Sequence, residues 1–259
     1  MIKIINLVSQ IIANLINILP AFLFARIYIQ LKKWVAMDYK EASIWLSAIS
    51  PMAYYRRNSA SKEPDTIAWI EKYSKEDDTF LDIGANIGAY SFVFAKNIRS
   101  GTVIAIEPSY STYGALVENI LYNKKLFSEI SFIPLNLALG SDDQISTFKF
   151  STTEAGAALH NSPSINVASL GVMTVTLDTL FGMTGLSSPN LVKIDVDGPE
   201  LSILAGAKQT LENKSVRSIL IELHQNTLDL VTSDLRSLGF HLESVVNRGE
   251  FCNAIFVKQ

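Results

Sequence analysis

A chain of 259 residues, 48% of them hydrophobic, is long enough to bury one sizeable core without cross-links. Its formal net charge of −3, with Lys and Arg scattered, gives no basic footprint for a nucleic acid. One cysteine, Cys252, excludes an intrachain disulfide and a cysteine-built zinc site, and fits a reducing, cytoplasmic compartment.

From Ile4 to Ala25 the chain carries no charge, and it is long enough to span a bilayer, which takes about 20 residues. Asn6, Gln10, Asn14 and Asn17 would fall on one side of a helix, with Leu7, Ile11, Leu15 and their neighbours over much of the rest, until Pro20 interrupts. Lys3 before an apolar stretch suits a secretory signal, but Leu23 and Ala25 make a poor cleavage site. Three readings stay open for residues 4–25: a packed or partner-binding helix, a peripheral membrane helix, and a true span or cleaved signal. A hydrophobic first helix also suits a homodimer. The basic pair in "YYRRN" (54–58) reads as a solvated loop. Composition shifts near residue 60, where the polar "SASKEPD" (59–65) reads as a linker. The chain thus divides into an N-terminal helical extension over 1–60 and a main domain over 61–259.

In the main domain, "DTIAWIEKYS" predicts a short helix capped by Asp65, and "TFLDIG" (79–84) a buried strand. A helix at "AYSFVFAKNI", a strand at 102–108, a helix at 111–124 and a strand within 130–140 follow. The stretch from 141 to 174 breaks the rhythm, as extra strands or a lid-like insertion. Then come a strand and turn at 191–200, a helix over "ELSILAGAKQTLEN" weakened by Gly206, a strand at 218–224, and a short helix closed by Gly239. Two antiparallel strands end the chain. Alternating strands and helices predict an α/β, doubly wound, mostly parallel sheet.

In such a sheet a ligand sits beyond the strand carboxyl ends. "FLDIGANIGAY" (80–90) places a glycine loop there. Gly84 and Gly88 allow a tight turn and close approach of backbone to a ligand. The spacing is not G-x-G-x-x-G, and Asp82 at the strand end would oppose a phosphate and suit an ammonium group. Glu107, ending the second strand, lies where an acid accepts hydrogen bonds from ribose hydroxyls. A ligand with a ribose and an ammonium but no phosphate is S-adenosylmethionine.

"FLDIGANIGAYSFVFAK", "VIAIEPS", "NLALGSDD", "VTLDTL" and "LVKIDVDGPELSILAGA" together resemble the FkbM-like methyltransferases, a branch of the class I enzymes that use S-adenosylmethionine. The resemblance runs from about residue 64 to 259. It implies a seven-stranded, Rossmann-like sheet with an antiparallel last strand. It also implies O-methylation of a hydroxyl on a sugar, glycan or secondary metabolite. By the same resemblance, Asp82, Gly84, Asn86 and Gly88 surround the methionine end of the cofactor and Glu107 holds the ribose. Ala138 and Leu139 lie near the adenine, Asp142 or Asp143 reaches its amino group, and Asp195 sits near the methyl. The family commonly has glutamate where this chain has Asp197, which leaves a direct role for that residue open.

Methyl transfer to an alcohol asks for alignment and for a base. Asp195, Asp197, Glu200, Glu222 and His224 fall at strand carboxyl ends. His224 has the pKa of a base near neutrality, and Glu222 shares its face and is placed to orient it; both also have structural readings. Asp195, Asp197, Glu200 and His224 form a permissive hard-metal set, and no metal is assigned on it. Lys193, in an apolar strand, is expected to pair with one of the acids. Asp178 reads as a cap, and Asn119 and Asn123 as ties from their helix to neighbouring loops. His160, in the insertion, is a loop residue or part of an acceptor pocket. An NAD-dependent oxidoreductase and a non-catalytic, membrane-associated relic are the competing readings.

Overall fold

The structure, a computed structural model, describes residues 2–40, 43–150, 153–157 and 168–258. Contacts divide the chain into two units, Met1–Trp34 and Val35–Gln259. The first holds α1 (Ile2–Ile16) and α2 (Ala21–Gln30), separated at Pro20, whose missing N–H and restricted ring end one helix and open the next. Leu7, Ile11, Leu15, Ile18 and Phe22 are all exposed. Among the described residues no helix is long and apolar enough to cross a membrane.

The second unit begins well before residue 60. Short strands β1 (Trp34–Ala36) and β2 (Trp45–Ser47) pair, and α3 (Pro51–Tyr55), α4 (Ser59–Lys62) and α5 (Pro64–Tyr73) follow. The "SASKEPD" stretch is therefore helical rather than a linker. Asp38 holds the start of α4 by accepting from the Ala60 and Ser61 N–H groups at 3.0 and 2.9 Å, and Glu63, at the N-cap position of α5, accepts from Thr66 Oγ1 at 3.3 Å. Met37, Tyr39, Ile44, Leu46 and Ala53 are core residues, which moves the boundary back to 34/35. Asp65 lies inside the first turn of α5, where its carboxylate accepts from Asn253 Nδ2 at 2.8 Å and pairs with Arg248.

The remaining elements are β3 (Thr79–Ile83), α6 (Ala89–Asn97), β4 (Gly101–Ile106), α7 (Tyr110–Asn123), β5 (Ile130–Leu135), β6 (Ala138–Leu139), β7 (Gln144–Phe150), β8 (Ala168–Val175), α8 (Leu177–Thr184), β9 (Leu191–Ile194), α9 (Glu200–Ala205), α10 (Lys208–Glu212), β10 (Ser218–His224), α11 (Leu228–Ser237), β11 (Phe240–Arg248) and β12 (Phe251–Lys258). Seven strands form one sheet in the order β11-β12-β10-β9-β3-β4-β5. All of its pairs are parallel except those of β12, which runs antiparallel to β10 and β11. The chain winds outward from β3 through β4 to β5, then returns to β9 on the other side. That reversal opens a crevice at the carboxyl ends of β3 and β9.

One sheet face packs Phe80, Val103 and Leu220 against Trp69, Phe92 and Phe94. The other packs Ile83, Ile104 and Ile221 against Leu177, Ile203, Leu204 and Val231. Residues 89–95 of α6 are buried all round, so this helix is internal to the unit. The predicted helix over 200–213 is broken. A Cβ on Gly206 would lie 2.1 Å from the Gly140 carbonyl oxygen, so two backbones touch where a continuous side-chain-bearing helix would clash. The irregular stretch supplies strands β7 and β8, which join β6 in a separate three-stranded sheet. His160 lies outside the described residues.

Candidate cofactor and acceptor site

The loop leaving β3 is shaped by what passes beneath it. Gly84 has φ +77°, and a Cβ there would stand 1.9 Å from the Asp195 carbonyl oxygen, so only glycine fits. The N–H groups of Gly84 and Ala85 both donate to the Ile106 carbonyl at 3.0 Å, which turns the chain over the end of β4. Asn86 takes φ +52°, and Gly88 takes φ +91° at the N-cap of α6.

Glu107 follows β4 and is only 5% exposed. One carboxylate oxygen accepts from the Asn86 N–H at 3.0 Å, the other from the Ser109 N–H at 2.9 Å. Burial pushes this carboxyl up to about 7, against the pull of those two donors and of Arg56. Asn136 fixes the next turn by donating to the Glu107 carbonyl at 2.8 Å. Ala138 and Leu139 run parallel to Thr174 and Val175 and present an apolar floor.

Across the crevice, Asp195 follows β9, its N–H bonded to the Ile83 carbonyl at 3.0 Å. Lys193, 1% exposed, donates to Asp195 Oδ2 at 2.7 Å, lies 3.9 Å from Asp82 Oδ1, and sits 4.8 Å over the Tyr90 ring. This is the acid pairing expected of a lysine in an apolar strand. On the neighbouring strand Glu222 meets the Asp195 carboxylate. Burial, then the Asp195 charge and a hydrogen bond to it, push Glu222 up to about 8. Burial acts on Asp195 in the same sense, but the Lys193 charge and the Glu222 hydrogen bond outweigh it and hold Asp195 well below the usual carboxylate range. Two adjacent carboxyls are thus driven apart, one ionised and one protonated near neutrality.

These groups share one cavity of about 1060 Å³, lined at one end by Gly84, Asn86, Glu107, Ala138 and Leu139. Asp195, Asp197, Glu222 and Phe251 line it further on. Asp82, Gly88 and His224 are not in its wall. Asp82 is 1% exposed and turned inward, because it shares the sheet face of Phe80 and Lys193. Its Oδ2 accepts from Ser91 at 2.6 Å, and its Oδ1 is a buried oxygen with no hydrogen-bond partner among the described residues. Gly88 is buried against Leu116. His224 is exposed, accepts from the Asn226 N–H through Nδ1 at 3.4 Å, and meets Phe251 edge to face at 5.5 Å. It caps a turn, and Glu222 turns to Asp195 instead of orienting it.

Other residues have structural work. Asp143 accepts from the Thr176 N–H at 2.7 Å and from Thr179 Oγ1 at 2.8 Å, and Asp142 from Ser141 at 2.7 Å; neither lines the cavity. Asp178 accepts from the Gln209 and Thr210 N–H groups and caps α10. Asn119 and Asn123 bond the backbone of Ser47 and Trp45, tying α7 to β2. Glu200 accepts from the Gly198 N–H at 2.7 Å. Among the described residues no group of three or more His, Cys, Asp or Glu is placed to hold a metal ion, so Asp195, Asp197, Glu200 and His224 are not gathered into one.

The sequence pointed to the N-terminal 60 residues as part of the pocket but named no site residue in the segment from α3 to α5. Tyr55, Arg56, Ser59, Lys62 and Glu63 all line the cavity. "YYRRN" divides its labour: Arg57 stacks over Tyr54 at 4.5 Å, and Arg56 faces inward. The available signal was a charge cluster ending in a buried acid, Glu63, in a chain that is otherwise sparsely charged.

The residues present fit a nucleoside carrying an amino-acid end. Glu107 offers a buried carboxylate to ribose hydroxyls. Ala138, Leu139 and Ile203 offer an apolar bed for a base, and Gly84 admits the ligand close to backbone. Comparison with known proteins agrees in class. The methyltransferase FkbM domain matches residues 82–242. The hexuronic acid methyltransferase AglP of Haloferax volcanii is 30% identical over 162 residues, an alignment that spans 62% of each chain and so less than two-thirds of that relative. Among solved structures, the methyltransferase FkbM from Methylobacillus flagellatus superposes with a TM-score of 0.49 at 13% identity, over 78% of this chain and 62% of that one. A precorrin-6y C5,15-methyltransferase from Geobacter metallireducens gives 0.48 at 16% identity, over 77% and 88%. With the domain matched across the glycine loop, both carboxyl-end acids and all the strands between them, this chain belongs to the FkbM methyltransferase family.

Proposed function

We propose that this protein is an S-adenosylmethionine-dependent O-methyltransferase whose acceptor is a hydroxyl of a sugar or glycan, with a hexuronic acid the first class to test. The observation that carries the reading is the Asp195–Glu222 pair, placed in the same cavity wall as Gly84 and Glu107. When bound, S-adenosylmethionine supplies a methyl group made electrophilic by its sulfonium. The chain's own residues do the rest. Glu107 would hold the ribose, and Ala138 and Leu139 the base. Ionised Glu222 takes the proton of the acceptor hydroxyl as its oxygen becomes the nucleophile. Asp195, kept anionic by Lys193, raises the affinity of Glu222 for that proton. The choice of a uronic acid rests on the name of the AglP relative. Titration of the full chain with S-adenosylhomocysteine and with NAD tests the cofactor. Micromolar binding of the first alone supports the reading, and binding of NAD alone sinks it. Mass spectrometry of a sugar-acceptor panel then looks for a methyl gain.

We further infer that α1 and α2 rest on an anionic lipid surface. The chain has no acid before Asp38, and Lys3, Arg26, Lys32 and Lys33 flank uncharged, exposed apolar stretches. That combination complements lipid phosphates at the rim and acyl chains beneath. Flotation of the full chain with anionic but not neutral vesicles, lost in Ile11→Asp/Leu15→Asp, is the expected result. Flotation indifferent to lipid charge and to the substitutions refutes it.

A further inference from the structure

Arg56 lines the same cavity as Glu107 and Asp195. Its Nε donates to the Gly156 carbonyl at 3.1 Å, and Asn86 Nδ2 of the glycine loop donates to the same oxygen at 3.4 Å. A single carbonyl therefore ties the guanidinium to the loop that leaves β3. The Arg56 charge also acts on Glu107 at the end of β4 and on Asp195 at the end of β9, which brackets it between the ribose acid and the acid pair. Among the described residues Nε is the hydrogen-bonded nitrogen of this side chain, so its Nη fork is left for a ligand.

The wall around that fork is acidic. Glu63, Glu107, Asp195, Asp197 and Glu222 all line the cavity. A ligand carboxylate entering there is repelled by ionised Asp195, and the cations lining the cavity are Arg56 and Lys62, of which Lys62 already pairs with Glu63 at 3.1 Å. A zwitterionic end group suits this layout: its ammonium faces the acids and its carboxylate needs one cation near the glycine loop. A guanidinium meets a carboxylate with two parallel N–H donors, a geometry a lysine does not reproduce.

We propose that Arg56 binds the carboxylate at the amino-acid end of S-adenosylmethionine, fixing the methionine arm between Glu107 and Asp195. The proposal rests on the cofactor reading above. It is tested by calorimetry on the full chain with S-adenosylhomocysteine and with its decarboxylated analogue, which keeps the ammonium and lacks only the carboxylate. Arg56→Ala is expected to weaken S-adenosylhomocysteine about ten- to hundredfold and to leave the decarboxylated analogue within about twofold, with Arg56→Lys between wild type and alanine for the first ligand. Retained affinity for the analogue also shows that the variant is folded. Equal losses for both ligands, or no loss for S-adenosylhomocysteine, overturn the proposal. Unchanged cofactor affinity with a raised KM for an acidic acceptor overturns it too, by moving Arg56 to the acceptor's carboxylate. Failure of the wild-type chain to bind either adenosine ligand is a different result, because it defeats the cofactor reading itself.

Discussion

Glu107→Gln isolates a carboxyl that burial holds near neutrality. The side chain is 5% exposed and its pKa is pushed from an ordinary 4.5 to about 7. The native carboxyl thus binds its proton more tightly than the unfolded chain does. Between those two values the native state carries more protons, so unfolding free energy falls as pH rises through the window and levels off above it. At about 1.4 kcal/mol for each pH unit, the gap amounts to about 3 kcal/mol. Glutamine has no proton to lose, so the variant lacks this slope. It carries a constant penalty instead. Asn86 and Ser109 each donate an N–H to the carboxylate, and an amide accepts from only one of them while its NH₂ faces the other, a cost of about 1–3 kcal/mol. The variant is therefore expected to be the less stable protein near pH 5 and to match or exceed wild type near pH 8. Urea unfolding of both proteins across that range, followed by circular dichroism, gives the difference at each pH. Taking the difference cancels other titrating groups, Glu222 among them. A difference that stays flat with pH refutes the reasoning.

If Glu222 is the base as proposed, the methyl-transfer rate is expected to rise with pH through about 8, and Glu222→Gln should lower it by about 10²- to 10⁴-fold and abolish that limb; a rate profile unchanged in the variant counts against the assignment. Lys193→Met removes the cation between Asp82 and Asp195 and should cost about 3–5 kcal/mol, part of it recovered by adding Asp82→Asn; chemical unfolding of the single and double variants measures both. Gly84→Ala forces a Cβ into the Asp195 carbonyl at positive φ, so both the melting temperature and S-adenosylhomocysteine binding should fall, and a variant that keeps both contradicts the described loop.

The sequence by itself determined the frame of the site. Strand runs buried on both faces, the turn at Gly84 and the acid after "VIAI" are local chemistry, and each falls in the structure where the pattern puts it. The same is true of the antiparallel last strand and of Asn119, whose amide donates to the Ile87 carbonyl of the glycine loop, while Asn123 ties the helix to a strand instead. Only the tertiary structure decided which way the end-of-strand residues turn. Asp82 and His224 both looked available, but Lys193 and Ser91 hold the first inside the protein, while the second ends its strand beyond the cavity wall and caps a turn. The Asp195–Glu222 pair joins two strands distant in sequence, and its split in proton affinity depends on burial and on Lys193 below it. Arg56 and Glu63 are a plain charge cluster until α3 to α5 fold over the glycine loop. A turn or a strand is specified by its own few residues, whereas the affinity of a carboxyl for a proton, or a guanidinium for a ligand, belongs to the neighbours that folding brings to it.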